Sequence, residues 1–454
     1  MKNDSYLKNV RDQYEDYPYP ARDPENEKGL IYSSPASSLD CLNFYCFSGK
    51  QDFTQNFRVL IPGGGTGDCT TYLAEQLKGT NAEIVYLDMT KASMDIAKER
   101  AKIRGLNNIT WIHDSILNIP NLNLGKFDYI SCTGVLHHLK DPQAGLNALK
   151  SVLKESGSMF IMLYGRYGRT GVYQMQDMLR RVNSGFDSIQ DKIDNTKTIL
   201  HGLPKSSWFT FNMASFANDL STDIGIYDLL LHTQDQSYSV PELYDYIEAS
   251  DLKVNKLYYT DHAIGDMVYQ PETYIQDPKL LKKIKTYPFR EQAAICEILI
   301  GQLAKQSCFI SFHENKPLPD IDDVDLIPSH SVITSKGLNA LSVSFSSNEP
   351  SIKLNEMIVI KRTPHIASIF KLIDGERTTK ELINEVIKVT KTSASFDQVF
   401  AEFKELFNLM LKISAMYLRD KSVPKYASLP ELESRMFELH GKEHCLSVRE
   451  KLFK

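Results

Sequence analysis

The segment VLIPGGGTGD, residues 59–68, sets Gly63, Gly65 and Gly67 at alternate positions between an apolar run and a helix-forming run. Glycines at a strand-to-helix turn let the backbone approach a ligand closely and expose amide N–H groups at a helix start. Thr66 sits inside the same loop. Asp88 closes the next strand-like run, 21 residues after Gly67, and Met89 follows it. A carboxylate there can accept both hydroxyls of a ribose. Asp114 and Ser115, in HDSILNIP, end a third run, where the acid can accept from an adenine amino group. Thr133 and Gly134 close a fourth, SCTG, beside the reacting end of such a ligand. Together these residues describe a nucleoside-cofactor site at the carboxyl ends of parallel strands, and NAD would suit the same spacing.

A second group of residues could act on a substrate. YEDYPYP, residues 14–20, is aromatic, stiff and a poor helix former. Held by Pro18 and Pro20, it would lose little entropy on closing over a site as a lid. Tyr14, Tyr17 and Tyr19 would bring aromatic walls and hydroxyls, with the hydroxyl of Tyr17 orienting a nucleophile and the ring of Tyr19 attracting a cation. His232, Asp235 and Tyr238 fall in a loop, DLLLHTQDQSYSVPEL, and Trp208 in PKSSWFTF. Tyr17, Tyr19, His232 and Tyr238 are thus candidate catalytic residues, and Trp208 and Asp235 candidate substrate-binding residues. His137 and His138 flank the cofactor site, where one of them more simply serves packing. Cys41 and Cys46 are the one close cysteine pair among seven cysteines, so no metal site is expected.

The elements that must position these groups follow from periodicity. RVLIP, EIVYLD, ITWIHD, FDYISCTG and SMFIMLYG read as five strands alternating with helical segments. That rhythm predicts a parallel sheet with helices on both faces. The pattern breaks at 166–239 and resumes with a helix at VPELYDYIEAS, a strand at LKVNKLYY, a helix at REQAAICEILIGQLA and a strand at CFISF. Residues 51–315 then form a seven-stranded α/β domain with an insertion at 166–239, preceded by an N-terminal arm or lid at 1–50. Residues 316–330, with three prolines and four aspartates, read as a linker. Residues 331–454 read as a small winged-helix-like domain: three amphipathic helices, one opened by a Thr378–Glu381 capping box, flanked by strands at EMIVI and SAMYL.

At 454 residues, with 42% hydrophobic and 24% charged residues and a net charge of −5, the chain has the composition of a multidomain globular protein and not of a polyanion binder. It shows neither a signal peptide nor a run of roughly 18 apolar residues, so a cytoplasmic chain without membrane insertion is expected. Residues 351–454 hold 18 Lys and Arg against 14 Asp and Glu, unclustered. A DNA reader would show a basic face, so a protein or peptide partner is expected there and no nucleic acid.

The glycine motif, the strand ending in Asp88, DSILNIP and above all GVLHHLKDP, residues 134–142, resemble the sequential motifs of class I S-adenosylmethionine-dependent methyltransferases. The resemblance implies a Rossmann-like methyltransferase fold, S-adenosylmethionine as cofactor and no metal. The family's first strand usually carries an acid where this chain has Ile61. The YPYP arm paired with the LHxxDxxYSVPEL loop is similar to a bacterial subgroup. That subgroup includes rickettsial protein-lysine methyltransferases that modify outer-membrane proteins. The Lys-, Ile- and Asn-rich usage is compatible with an AT-rich genome. Transfer to lysine amines of a protein substrate is therefore the expected reaction. The alternatives are a small-molecule N- or O-methyltransferase, with the added segments serving a homodimer, and a non-catalytic protein that senses S-adenosylmethionine.

Overall fold

The computed structural model describes residues 8–32, 35–259, 265–314, 317–330, 350–353, 359–425 and 433–435. A short strand, β1 (Leu30–Tyr32), precedes the runs read as strands. These form β2 (Arg58–Pro62), β3 (Glu83–Asp88), β4 (Ile109–His113), β5 (Phe127–Thr133) and β6 (Leu153–Gly165). Two-residue β7 (Ser237–Tyr238) follows, then β8 (Lys253–Leu257) and β9 (Lys305–Ser311). The sheet order is β4-β3-β2-β5-β6-β9-β8, with β7 beside β6. Strands β2 to β6 run parallel, and β9 runs antiparallel between β6 and β8. The expected seven-stranded Rossmann-like sheet is present. The strand order reverses between β2 and β5, so their carboxyl ends open the crevice where such sheets bind ligands.

Local chemistry starts the covering helices. Asp141 accepts from Ala144 N–H ahead of Pro142–Ser151, and a Ser239–Glu242 capping box opens Val240–Glu248. Both helices pack with Phe289–Ile300 on one apolar face of the sheet. The segment 166–239 folds into five short helices around its own cluster, including Val172, Leu179, Ile193, Phe209 and Phe216.

The other face of the sheet ties distant parts of the chain together. Leu39–Cys46, within the stretch expected as an arm, is a buried helix. Its Phe44 and Tyr45 pack with Tyr258 and Phe309 of the sheet side and with Tyr417 near the C-terminus. Ile61 lies in the same cluster, 2% exposed. An ionised carboxylate without a partner in this apolar cluster would cost several kcal/mol or more, and Ile61 avoids that cost.

The C-terminal part brings β10 (Ile327–His330) against β13 (Met416–Arg419), and β11 (Ser351–Lys353) against β12 (Val359–Lys361). Helices Ile366–Leu372, Thr379–Thr390 and Phe396–Lys412 sit between them in the chain, and the Thr378–Glu381 capping box forms as read. β14 (Glu433–Arg435) pairs with β1. β10 lies inside the stretch expected as a linker; Ile327 and Pro328 are buried, so this end of the stretch is structural. Residues 356–358 of EMIVI lie outside the described residues.

Candidate active site

Gly63, Gly65 and Gly67 all have positive φ, at 67°, 52° and 99°. Their loop does not present free amides. Gly63 and Gly64 N–H donate to Leu87 O, Gly65 N–H to Asp88 Oδ2 at 2.9 Å, and Gly67 N–H to Gly64 O. The loop is stitched to β3, and the glycines make room for close neighbours. A Cβ on Gly63 would stand 2.3 Å from Val135, and one on Gly64 2.2 Å from Tyr86.

Asp88 is 8% exposed, and its Oδ1 accepts from Thr90 N–H and Oγ1 at 2.9 and 2.7 Å. Burial raises its pKa although these donors oppose the shift. Met89 follows it at the end of β3, and its carbonyl lies 3.0 Å from His113 Nε2. Asp114 accepts from Ser115 N–H and from Asn118 Nδ2, and Ser115 caps the turn that follows. Thr133 is exposed at the end of β5, and Gly134 follows at φ 76°. The candidate cofactor residues therefore lie together at the carboxyl ends of β2 to β5.

The tyrosine arm lies directly on the glycine loop. Thr66 Oγ1 donates to Pro20 O at 2.8 Å, and Thr66 N–H to Tyr19 O. Arg22 grips Asp68 through two bonds of 2.9 and 2.7 Å. Asp68 also meets the fully buried Arg100, which pairs with Glu27 of the arm at 2.7 Å. Sequence reasoning missed this clamp; its one local signal was Asp68, closing the glycine motif.

Above the loop, two tyrosines of the arm reach two acids of the insertion. Tyr14 donates to Asp228 and Tyr19 to Asp219, each at 2.7 Å. His138 and His232 stack at 4.1 Å, and both turn Nε2 toward Tyr14 Oη, at 3.5 and 3.3 Å. Tyr164, at the end of β6, lies beside His137 and His138. Burial pushes Asp228 up to about 7, against the opposing hydrogen bond from Tyr14. Burial also lowers His138 to about 4 and holds His232 well below its usual value. The tyrosines are raised well above theirs, by burial first and then by the neighbouring aspartates.

Several expectations change place. Tyr14 belongs to a helix, Lys8–Asp16, so the aromatic stretch is helical at its start. Tyr17 packs its ring on Tyr227 at 5.1 Å, against the insertion's core, while the Tyr19 hydroxyl donates to Asp219. Tyr238 stands apart from His232, with its ring on Tyr246 and its hydroxyl toward Gln236. Asp235 is held by Arg169 at 3.0 Å in a buried ion pair, so its carboxylate is occupied. Trp208 is 62% exposed near Phe211 on the outside of the insertion. Asp219 and Asp228 were missed because nothing local separates them from ordinary helix residues.

Residues 60–159 match the family model described as a methyltransferase domain. An uncharacterized protein of Synechococcus sp. is 30% identical over 329 residues, covering 70% of this chain and 74% of its own length. The ubiquinone biosynthesis O-methyltransferase of Haemophilus ducreyi is 30% identical over 135 residues, 29% of this chain and 56% of its own. The structure of PKMT2 from Rickettsia typhi in complex with AdoHcy superposes with a TM-score of 0.63 at 15% identity, covering 86% of this chain and 76% of that one, and so shares the fold. Sheet order, crevice, motifs and relatives agree: the chain belongs to the class I S-adenosylmethionine-dependent methyltransferases.

Proposed function

We propose that this methyltransferase acts on amines, and specifically on lysine side chains of a protein. The observation that carries the reading is the pair of tyrosine–aspartate contacts, Tyr14–Asp228 and Tyr19–Asp219, set above the glycine loop. A buried acid, Asp228, and a half-buried one, Asp219, set among aromatic rings suit an ammonium head, which both the carboxylates and the ring faces attract.

The strand-end residues fit the cofactor. Asp88 keeps acceptor capacity on Oδ2, which takes one donor, for a ribose hydroxyl, and Asp114 keeps capacity for an adenine amino group. At Gly134 a Cβ would meet only the Met162 methyl, at 3.7 Å, so the backbone beside the exposed Thr133 borders open space. When bound there, S-adenosylmethionine supplies an electrophilic methyl carbon on a sulfonium. The chain's contribution is placement: holding the amine in line and excluding water accounts for much of the acceleration such a displacement needs. Exposed Trp208, Phe211 and Phe186 on the insertion offer apolar contacts to the rest of a protein substrate.

The test is to incubate the protein with methyl-labelled cofactor and candidate proteins, each with a copy whose lysines are acetylated. Label on the free-lysine copy and none on the acetylated one supports the proposal. Label only on a phenolic or quinol small molecule replaces it with O-methylation. Cofactor binding with no transfer to any acceptor replaces it with sensing.

A further inference from the structure

We infer that Asp228 takes the proton from the incoming amine, and that Tyr14 is the positioning residue that keeps this carboxylate ready. The inference rests on the amine reading above and adds the identity of the base.

The geometry starts from the backbone of Gln234. Its carbonyl lies 3.0 Å from His138 Nδ1, and its N–H donates to His232 Nδ1 at 3.0 Å. A carbonyl only accepts, so His138 carries its hydrogen on Nδ1 and leaves Nε2 bare. An N–H only donates, so His232 Nδ1 is bare and a neutral ring carries its hydrogen on Nε2. One residue thus fixes two stacked imidazoles in opposite tautomers. Both Nε2 atoms face Tyr14 Oη: His232 as a donor at 3.3 Å, and the bare Nε2 of His138 at 3.5 Å, too far to compete with Asp228 for the single hydroxyl hydrogen. With His232 donating to its oxygen, the Tyr14 hydroxyl is free to donate to Asp228 Oδ1, the shortest of its contacts at 2.7 Å.

The other groups around Asp228 leave it as the base. Tyr14 and Tyr164 are driven further from ionising by burial, and His138 and His232 are kept neutral by it. Arg169 is spent on Asp235, and Asp219, paired with Tyr19, is less buried, while the imidazole pair orients Tyr14, the partner of Asp228. Asp228 alone among the arm and insertion groups joined to Tyr14 is a carboxyl, 5% exposed, poised at about 7. In the step, one N–H bond of the substrate ammonium breaks and its proton passes to an Asp228 oxygen. The freed nitrogen lone pair then forms the N–C bond as the C–S bond breaks, its electron pair going to sulfur. Tyr14, by hydrogen-bonding the carboxylate form, keeps the base ionised closer to neutral pH.

The test combines kinetics with spectroscopy on the full chain. Asp228→Asn should lower kcat at least a hundredfold with cofactor affinity unchanged, and should abolish the rising limb of kcat near pH 7. Tyr14→Phe, the variant with the milder effect on folding, should keep the limb but move it to higher pH, because the carboxylate loses its donor. Nitrogen-15 spectra of the imidazoles should show His138 as the Nδ1–H tautomer and His232 as the Nε2–H tautomer. Wild-type methylation of amines with an unchanged pH limb in Asp228→Asn overturns the assignment of the base alone, as does matching tautomers in the two rings. Absence of amine methylation by the wild type overturns the underlying function.

Discussion

The hydroxyl of Tyr19 donates to Asp219 across 2.7 Å although 200 residues separate them. The carbonyl of the same tyrosine accepts from the Thr66 amide of the glycine loop. One residue thereby touches both the glycine loop and one acid of the candidate acceptor site.

Removing only the hydroxyl tests that link. Tyr19→Phe should lower turnover about tenfold, corresponding to a hydrogen bond to a charged group worth roughly 1.5 kcal/mol, and leave cofactor affinity within twofold. Tyr17→Phe should change neither, since the Tyr17 ring packs on Tyr227. Steady-state kinetics with calorimetry decides it: equal losses in the two variants would mean the arm acts only as a packing buttress.

Gly65→Ala addresses the contact between arm and loop. The residue has φ 52°, and an added Cβ would stand 2.8 Å from Tyr19 O. Backbone cannot yield as a flexible side chain can, so the arm should lift. Hydrogen exchange over residues 17–22 should accelerate and turnover should fall more than cofactor affinity. Unchanged exchange would show that the loop, and not the arm, absorbs the methyl group.

What was legible in the sequence is what local chemistry dictates. β-branched runs gave the strands, and the capping box Thr378–Glu381 marked a helix start. The glycine loop and the acids at the strand ends lie within 75 residues of one another in chain order, from Gly63 to Gly134, and the parallel fold itself brings them together. The candidate acceptor site was not legible because its pairs span 200 and 214 residues. They depend on how the arm docks on the insertion. Tyr14 and Tyr17 diverge because one sits on a helix and the other beyond its end, which an aromatic pattern alone does not reveal.

Asp40 gives a prediction about pH. It opens the buried helix Leu39–Cys46, accepts from Ser329 Oγ at 2.6 Å, and is raised by burial from 3.8 to about 6, with the Ser329 bond and Arg419 opposing. The folded chain then holds a proton that the unfolded chain releases, so stability falls as pH rises from about 4 through about 6. Asp40→Asn keeps an acceptor for Ser329 and never ionises. It should be more stable than the wild type at pH 7.5 by about 1–2 kcal/mol after allowing for partial exposure, and equally stable near pH 4. Chemical denaturation at the two pH values measures this, and a difference independent of pH would remove Asp40 from the account.

A chain cut after Asp320 separates two views of the C-terminal part. Every proposed cofactor contact lies upstream, so affinity for S-adenosylmethionine should stay near native wherever the shortened chain remains folded. Stability should not. Phe44, Tyr45 and Tyr258 would lose Tyr417, and the sheet face would lose Phe370, Phe403 and Phe407 from its shared cluster. Losing these aromatic partners exposes apolar surface that the full chain keeps buried, at roughly 25 cal/mol per Å². The melting temperature should therefore drop and a dye that binds exposed apolar surface should bind. An unchanged melting temperature with no dye binding would mean that the C-terminal helices rest on the sheet without supporting it, and that the cut falls at a true domain boundary.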